Sequence, residues 1–411
     1  MSAPPLPSRD AVRSWFPSLA SGFAYLENAG GSQVPGVVAD AIRDYMLSTY
    51  VQLGAGYPQS DRATQTVHDA HAFVELLVNA GSAGKVVLGP SMTALSTILA
   101  NAYSEILKPG DEVVIAQTNH EANAGPWARL ARRGIEVKTW RVDPVSFQCP
   151  LGELSRLLGA RTRIVALPHV SNLLGEITPV AEVARMAHEV GARVVADGVA
   201  FAPHRAVDVQ ALGVDYYLYS TYKVFGPHMG AMFGRLEAFE EIEGPNHFFV
   251  PRGDIPYKFE LGGVSHEGCA GLLALRPYLQ FLAGSNEHDR ATVERAFSVM
   301  AALEQPLTER LIGYLRSRPD VKIVGPSHAA QERVGTVSFL HERIPSPEIA
   351  AAVHRAGIGI RYGHMYAMRL CEGLGIDPAT GVVRVSLLHY NTEEEIERLV
   401  AALDRALGGG S

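Results

Sequence analysis

The chain reads as an α/β protein. It predicts a large unit on a mostly parallel, doubly wound sheet, followed by a smaller α+β unit. Three observations point that way. Between Val86 and Ser220, short runs of Val, Ile, Leu and Ala alternate with amphipathic stretches, the pattern of strands buried on both faces and joined by helices. Polar residues gather just past the carboxyl ends of those runs, where ligands of open α/β sheets sit. After about residue 275 the alternation gives way to one long helical stretch and then to spaced strands and helices, as in a mostly antiparallel unit.

Bulk properties narrow the class. A chain of 411 residues that is 47% hydrophobic can bury a sizeable core in two or three structural units. A formal net charge of -7 argues against a nucleic-acid or anionic-membrane surface. Cys149, Cys269 and Cys371 lack metal-site spacing, so neither a disulfide framework nor a metal site is implied. Met1 to Pro17 has no apolar core of signal-peptide length, and no run is long enough to cross a bilayer. A soluble cytoplasmic protein is expected.

In order, residues 1–20 predict an arm that packs on the small unit, with a short helix around Ala11 to Phe16. Phe23 to Leu26 reads as a strand, Glu27 to Ser32 as a turn, Pro35 to Tyr50 as a helix, and Gly54 to Pro58 as a loop. Arg62 to Asn79 is helical by the spacing of Val67, Ala70, Phe73, Val74 and Leu77. Strands follow at Val86–Leu88, Val113–Ala116, Ile135–Val137, Arg163–Leu167, Val194–Asp197 and Tyr217–Ser220, with helices at Met92–Leu107, through Trp127 to Arg133, near Leu151–Leu158 and at Val180–Val190. The large unit is expected over 21–275 and the small one over 276–411. In the latter, helices are expected at Thr292–Arg318, Pro347–Arg355 and Thr392–Leu407, with strands near Thr336–Leu340, Ile358–Arg361 and Val382–Leu387. Only Gly408 to Gly410 is compositionally biased.

Several strand ends carry residues suited to one chemistry. Lysine occurs only at Lys85, Lys108, Lys138, Lys223, Lys258 and Lys322, and Lys223 sits between a Tyr-rich strand and Val224-Phe225-Gly226-Pro227. Low-polarity surroundings depress a lysine pKa, and a neutral amine is what attacks an aldehyde. Asp197, ending the preceding strand, could keep a pyridine nitrogen protonated, or cap the next segment. Ser91-Met92-Thr93 opens a helix after a Gly-Pro turn, a phosphate cradle or an ordinary serine cap. His120 could stack on a flat ring and take part in proton transfer as a catalytic group, or be a loop histidine, and Asn172 could bond a phenolic oxygen or be a turn asparagine. Arg384, inside an apolar strand, suits a bidentate grip on a carboxylate or a structural salt bridge.

Together these residues resemble the class V aminotransferase family of fold type I pyridoxal-phosphate enzymes, and within it the cysteine-desulfurase-like branch. The likeness runs from Tyr25-Leu26-Glu27-Asn28-Ala29 to Tyr390-Asn391-Thr392 and is most specific in Asp197-Gly198, His204, Asp208-Val209 and Ser220-Thr221-Tyr222-Lys223 followed by Gly226-Pro227. It implies a seven-stranded large-domain sheet and pyridoxal 5′-phosphate as cofactor. Lys223 would form the Schiff base, Asp197 pair with the ring nitrogen, His120 stack on the ring, and Asn172 contact its O3′. Ser91, Met92, Thr93, Ser220 and Tyr222 would hold the phosphate. Arg384 would bind a substrate carboxylate, with Asn28 and His364 beside the substrate. A homodimer is implied, with the active site at the subunit interface and Gly263 on the loop that reaches the neighbouring phosphate.

Departures from the family pattern bear on the reaction. Tyr366 stands where the desulfurases carry their nucleophilic cysteine, and a phenol cannot form a persulfide. Ala200, Tyr222 and Gly263 replace a glutamine, a histidine and a threonine that contact the cofactor in the family. The expectation is a PLP-dependent enzyme of an amino acid, aminotransferase-type, in which Tyr366 and His364 are candidates for a second acid–base group, or Tyr366 only shapes the pocket. A β-eliminating C–S lyase, an amino-acid epimerase and a non-catalytic PLP-binding protein are the alternatives. No G-x-G-x-x-G opens the first helix, so a plain oxidoreductase has little support.

Overall fold

The structure, a computed structural model, describes residues 6–328 and 333–408, so Met1 to Pro5 of the expected arm and Gly409 and Gly410 lie outside it. The strands, in chain order, are β1 (Ala24–Tyr25), β2 (Gly84–Gly89), β3 (Glu112–Ala116), β4 (Glu136–Trp140), β5 (Thr162–Pro168), β6 (Arg193–Asp197), β7 (Tyr216–Ser220), β8 (Gly230–Arg235), β9 (Val321–Val324), β10 (Thr336–His341), β11 (Ile358–Gly359), β12 (Arg361–Gly363) and β13 (Val382–Ser386).

Seven of them form one sheet in the order β2-β8-β7-β6-β5-β3-β4. From β7 to β4 all neighbours are parallel. The middle strands are apolar on both faces because helices cover both. Val194, Val195 and Ala196 of β6 are fully buried, and each such valine contributes roughly 1.5–3 kcal/mol. β8 is antiparallel to β7 and to β2. The glycine-rich Gly230–Arg235 has no clear strand signature, and the sequence reading passes over it. Because β8 returns as a hairpin, the connection after β7 stays at the carboxyl edge of the sheet, and that connection carries Lys223. Thr221 fastens it, donating its N–H to the Met229 carbonyl (2.9 Å) and its Oγ–H to the Pro227 carbonyl (2.5 Å).

The second sheet is antiparallel, in the order β12-β13-β10-β9, and packs with helices Arg290–Arg316, Ser346–His354 and Glu393–Ala406. β1 pairs in parallel with β11, and Glu27 bridges to Ser386. Residues 24–26 therefore share a core with the C-terminal unit, although the expected division placed them in the large one. The arm forms a helix at Arg9–Arg13, shorter and earlier than expected. Arg13 donates to the Tyr390 carbonyl (2.9 Å) and pairs with Glu395 (3.0 Å), tying the arm to the C-terminal unit. Among the described residues, no helix is long and apolar enough to cross a membrane.

Candidate active site

The carboxyl ends of β3, β5, β6 and β7 open into a cavity of about 450 Å³ that the second sheet closes from the far side. Thr93, His120, Asn172, Tyr222, Lys223, Tyr366 and Arg384 line it. A deeper recess of about 60 Å³ adds Met92, Asp197, Ala200 and Ser220. Residues spread over nearly three hundred positions thus face one another.

Each is placed by local structure. Helix Met92–Ser104 begins at the recess, and its first turn offers free N–H groups. Gly230 allows this: a Cβ there would lie 2.3 Å from the Ser91 carbonyl carbon and 2.4 Å from the Met92 nitrogen. His120 caps helix Glu121–Ala128, its Nδ1 accepting from the Ala122 N–H at 3.0 Å. The ring proton is therefore on Nε2. Asp197 ends β6 with Oδ1 accepting from the Val199 N–H at 2.9 Å. The Tyr222 ring stacks on His228 at 4.2 Å, and Ser32 Oγ donates to the Tyr222 carbonyl at 3.1 Å.

The electrostatics are those of groups left short of partners. Burial pushes the Asp197 carboxyl up to about 6, against the backbone N–H of Val199 and the charge of Lys223. Burial, then the Arg384 charge, pull Lys223 down to about 8, while Asp197 and Glu27 oppose this. Burial, with Lys223 and Arg384, lowers His120 to about 4, so the imidazole is neutral near pH 7. Asn172 donates Nδ2–H to the Met365 carbonyl at 2.8 Å, but its buried Oδ1 has no partner.

Arg384 lies directly opposite Arg361 across the β12–β13 pair. Like charges at that register repel. Glu27 separates them, its Oε1 lying 3.2 Å from Arg361 and 3.5 Å from Arg384. Arg384 also donates to the Asn172 carbonyl at 3.1 Å, yet its buried Nε has no partner. Burial holds this guanidinium down at about 10, with Glu27 opposing.

Three expected residues are not brought to the cavity. The Asn28 amide donates to the Ser386 carbonyl (2.9 Å) and Asn391 Oδ1 (3.0 Å) and accepts from Tyr390, so it ties the chain ends together while Ala29 and Gly30 line the space. Ser91 Oγ accepts from the Ala94 N–H at 3.1 Å as an ordinary cap. His364 Nδ1 accepts from the Tyr366 N–H at 3.1 Å, which shapes the turn, and the residue lines neither the cavity nor the recess. Gly263 (φ +85°), expected to serve the neighbouring subunit's site rather than its own, sits in a loop with open space beside it. Glu27, Arg361, Arg129 and Met365 went unnoticed. The register of β12 on β13 and the β1–β11 pairing, both long-range, bring Arg361 and Glu27 there, whereas Arg129 follows the helix that His120 caps.

The donor set fits pyridoxal 5′-phosphate. A lysine held near neutrality, a buried carboxylate on the next strand, an orphaned amide oxygen and a helix N-terminus in the recess are the partners that an aldehyde, a ring nitrogen, a ring hydroxyl and a phosphate require. Tyr366 (φ +61°) is 60% exposed at the mouth, its ring 5.3 Å from that of His120. The cysteines line neither space: Cys371 and Cys269 are fully buried, and burial holds Cys371 up at about 11.

Comparison with known proteins agrees. The family described as aminotransferase class-V matches residues 24–399. An aminotransferase-like protein, FGM3, of Gibberella zeae is 38% identical, covering 97% of this chain and 98% of its own length. A cysteine desulfurase of Dickeya dadantii is 34% identical, covering 96% of each. The apo structure of a cysteine desulfurase from Thermococcus onnurineus NA1 superposes with a TM-score of 0.86 at 26% identity over 100% of both chains. This chain belongs to the class-V aminotransferase family and is a pyridoxal-phosphate-dependent enzyme.

Proposed function

We propose that this enzyme acts on the α-amino group of a free amino acid and transfers it, as an aminotransferase, working as a homodimer. The observation that carries the reading is the composition of the cavity: Lys223, Asp197 and Arg384 converge there, and none of the cysteines does. When bound, the cofactor supplies the electron sink that makes the substrate Cα–H acidic.

The chain's own residues then divide the work. Lys223, poised at about 8, would hold the cofactor and, as the free amine, move the proton from Cα. Asp197, ionised near pH 7 with a pKa of about 6, would keep a proton on the ring nitrogen. The N–H groups opening helix Met92–Ser104, with Thr93, Ser220 and Tyr222, would hold the phosphate. Asn172 would meet the ring hydroxyl through the amide oxygen now without a partner. Neutral His120 would pack over the ring without adding charge. Arg384 would take the substrate carboxylate with its unpartnered Nε edge, drawing away from Glu27 as it does. Transamination needs one base and no second nucleophile, which matches a site with no thiol. The apolar side chains of Phe248 (96% exposed) and Phe249 (68% exposed) favour a covered face, as a dimer would provide.

A second reading, β-elimination from a cysteine-like substrate, is favoured by the likeness to cysteine desulfurases and by the Tyr366 phenol at the mouth, which would protonate a leaving group. A panel of amino acids with product analysis separates the two. An oxo-acid formed in step with amine transfer to an acceptor oxo-acid supports transamination. Pyruvate, ammonia and a released thiol would overturn it in favour of elimination, and loss of optical activity alone would mean epimerisation.

A further inference from the structure

The outer half of the cavity carries more positive charge than the proposed reaction uses. Lys223 is assigned to the cofactor and Arg384 to the α-carboxylate, and Arg361 shares Glu27 with Arg384. Arg129 is left over. It follows helix Glu121–Ala128 and lines the outer cavity beside Thr97 and Pro126, but not the recess where Met92, Thr93, Asp197 and Ser220 gather. The one acidic residue of the wall, Glu121, is engaged by Arg369 at 3.0 Å. Among the described residues Arg129 has no ion pair.

Its position has a local cause. Gly125, one turn earlier, has no side chain, and a Cβ there would lie 3.4 Å from Arg129 Nη1 and 2.7 Å from Glu121 Oε1. The glycine leaves the helix surface open for the guanidinium to lie back over it. Thr97 cannot offer a competing donor, because its hydroxyl already donates to the Thr93 carbonyl at 2.8 Å. An anion in this part of the cavity would therefore meet the Arg129 guanidinium as its donor.

The geometry points to a second anion subsite at Arg129, and so to a substrate whose side chain ends in an anionic oxo-acid group such as a carboxylate. This rests on the proposed function, in which Arg384 holds the α-carboxylate. A planar five-donor guanidinium suits such a terminus, and a two-point grip by Arg384 and Arg129 would fix both ends of an extended amino acid.

The test uses holoenzyme and ligands without a primary amine, which cannot react: succinate and glutarate against butyrate and valerate, with 4-(trimethylammonio)butyrate as a cationic arm. Binding is read by calorimetry and by the visible absorbance of the cofactor. The dicarboxylates are expected to bind about tenfold to a hundredfold more tightly than the monocarboxylates, the range of one charge-assisted hydrogen-bonded contact. Arg129→Gln should abolish that ratio, and Arg129→Lys should keep part of it. Arg384→Gln should weaken both ligand classes alike. If it leaves butyrate unchanged, the underlying carboxylate assignment fails. If Arg384→Gln behaves as expected but wild type binds succinate no better than butyrate, the Arg129 subsite alone is wrong. Tighter binding of 4-(trimethylammonio)butyrate would also overturn it, as would a loss of cofactor affinity in Arg129→Gln, which would assign the arginine to phosphate. Arg129 is exposed, so the variants should fold, and unchanged melting checks this.

Discussion

The amino and carboxyl edges of the large sheet both carry buried charge, but only one edge leaves it unmet. At the amino edge, before β7, the Asp215 carboxylate accepts from the Val194 N–H at 2.7 Å and from Arg193 at 2.8 Å, and meets His188 at 2.8 Å. Burial acts to raise its pKa, yet these bonds outweigh burial and hold it low. At the carboxyl edge of the same strands, Asp197 has one backbone donor and its pKa is raised, while that of Lys223 is lowered. The amino edge even has the larger cavity, about 550 Å³ against about 450 Å³. Size therefore does not mark the active site; a set of polar groups still waiting for partners does.

The hardest test of this contrast is to remove the central group. Lys223→Ala is expected to lower kcat/KM by about a thousandfold or more, since both cofactor attachment and the general base go. Borohydride should fix the cofactor covalently in wild type and not in the variant. Retention of a tenth of the activity, or a reduced label on another lysine, would remove the basis of the site assignment.

Stability should move in opposite directions at the two edges. Asp215→Ala leaves the Val194 N–H and the Arg193 charge without their buried acceptor and should cost about 3 kcal/mol in urea unfolding, with turnover per folded molecule unchanged. Its contribution is full above the ordinary carboxyl pKa of 3.8 and is lost as pH falls through the lowered folded value. Lys223→Met, in apoenzyme, should instead stabilise by about 1 kcal/mol at pH 7, the shift being discounted for the part of the side chain open to the cavity. The sign follows from the proton count. Between about 8 and 10.5 the unfolded lysine binds a proton that the folded one does not, so wild-type stability rises with pH through that window and the gain of the variant fades. A gain that persists at pH 10.5 would mean that packing, not charge, causes it.

A smaller effect probes the coupling between the two site groups. Capture of the aldehyde by apoenzyme needs neutral Lys223, so its rate should rise about tenfold per pH unit and level off above about 8. Asp197 raises the lysine pKa, so Asp197→Asn should move the plateau to lower pH. Stopped-flow absorbance across pH 6–9 would show it, and a shift to higher pH would contradict the assigned charge on Asp197.

The same contrast explains what could be read from the chain alone. Asp197 is legible because a buried strand fixes where its last residue points, and Lys223 because it follows the end of another by one short turn; that information is local. So is the cap at Ser91, whose side chain turned out to do only that. Asn28 and His364 could not be judged locally. Asn28 is claimed by Ser386 and Asn391, more than three hundred positions away, and the turn at Met365 and Tyr366 takes up His364. Arg361 and Arg384 become a repelling pair only through strand register, and Glu27 separates them only because β1 joins the C-terminal unit. β8 was invisible for another reason: its glycines serve close packing rather than strand propensity, Gly230 against the start of helix Met92–Ser104 and Gly234 against the Phe239 ring.

The smallest expected effect is none at all, and it bears on the reaction. If the site works without a thiol, alkylating the native enzyme with iodoacetamide should leave turnover within about twofold of the untreated enzyme. The thiolate is the reactive form, and burial pushes the Cys371 thiol up to about 11 and the half-buried Cys149 thiol to about 11 as well, against weak opposition from Thr118. Cys269 is buried and shifted in the same direction. Labelling should therefore be slow at pH 7 and become complete only in denaturant, which mass spectrometry of the intact protein would show. Tyr366 cannot replace a thiol as a sulfur acceptor, but it can supply a proton, so Tyr366→Phe separates the two proposed reactions. Transamination should fall by about tenfold or less, whereas elimination that relies on the phenol should fall about a hundredfold. Inactivation by one equivalent of iodoacetamide, or a persulfide recovered on any cysteine during turnover, would show that a thiol reaches the cavity after all and would overturn the division between the two edges on which the site was identified.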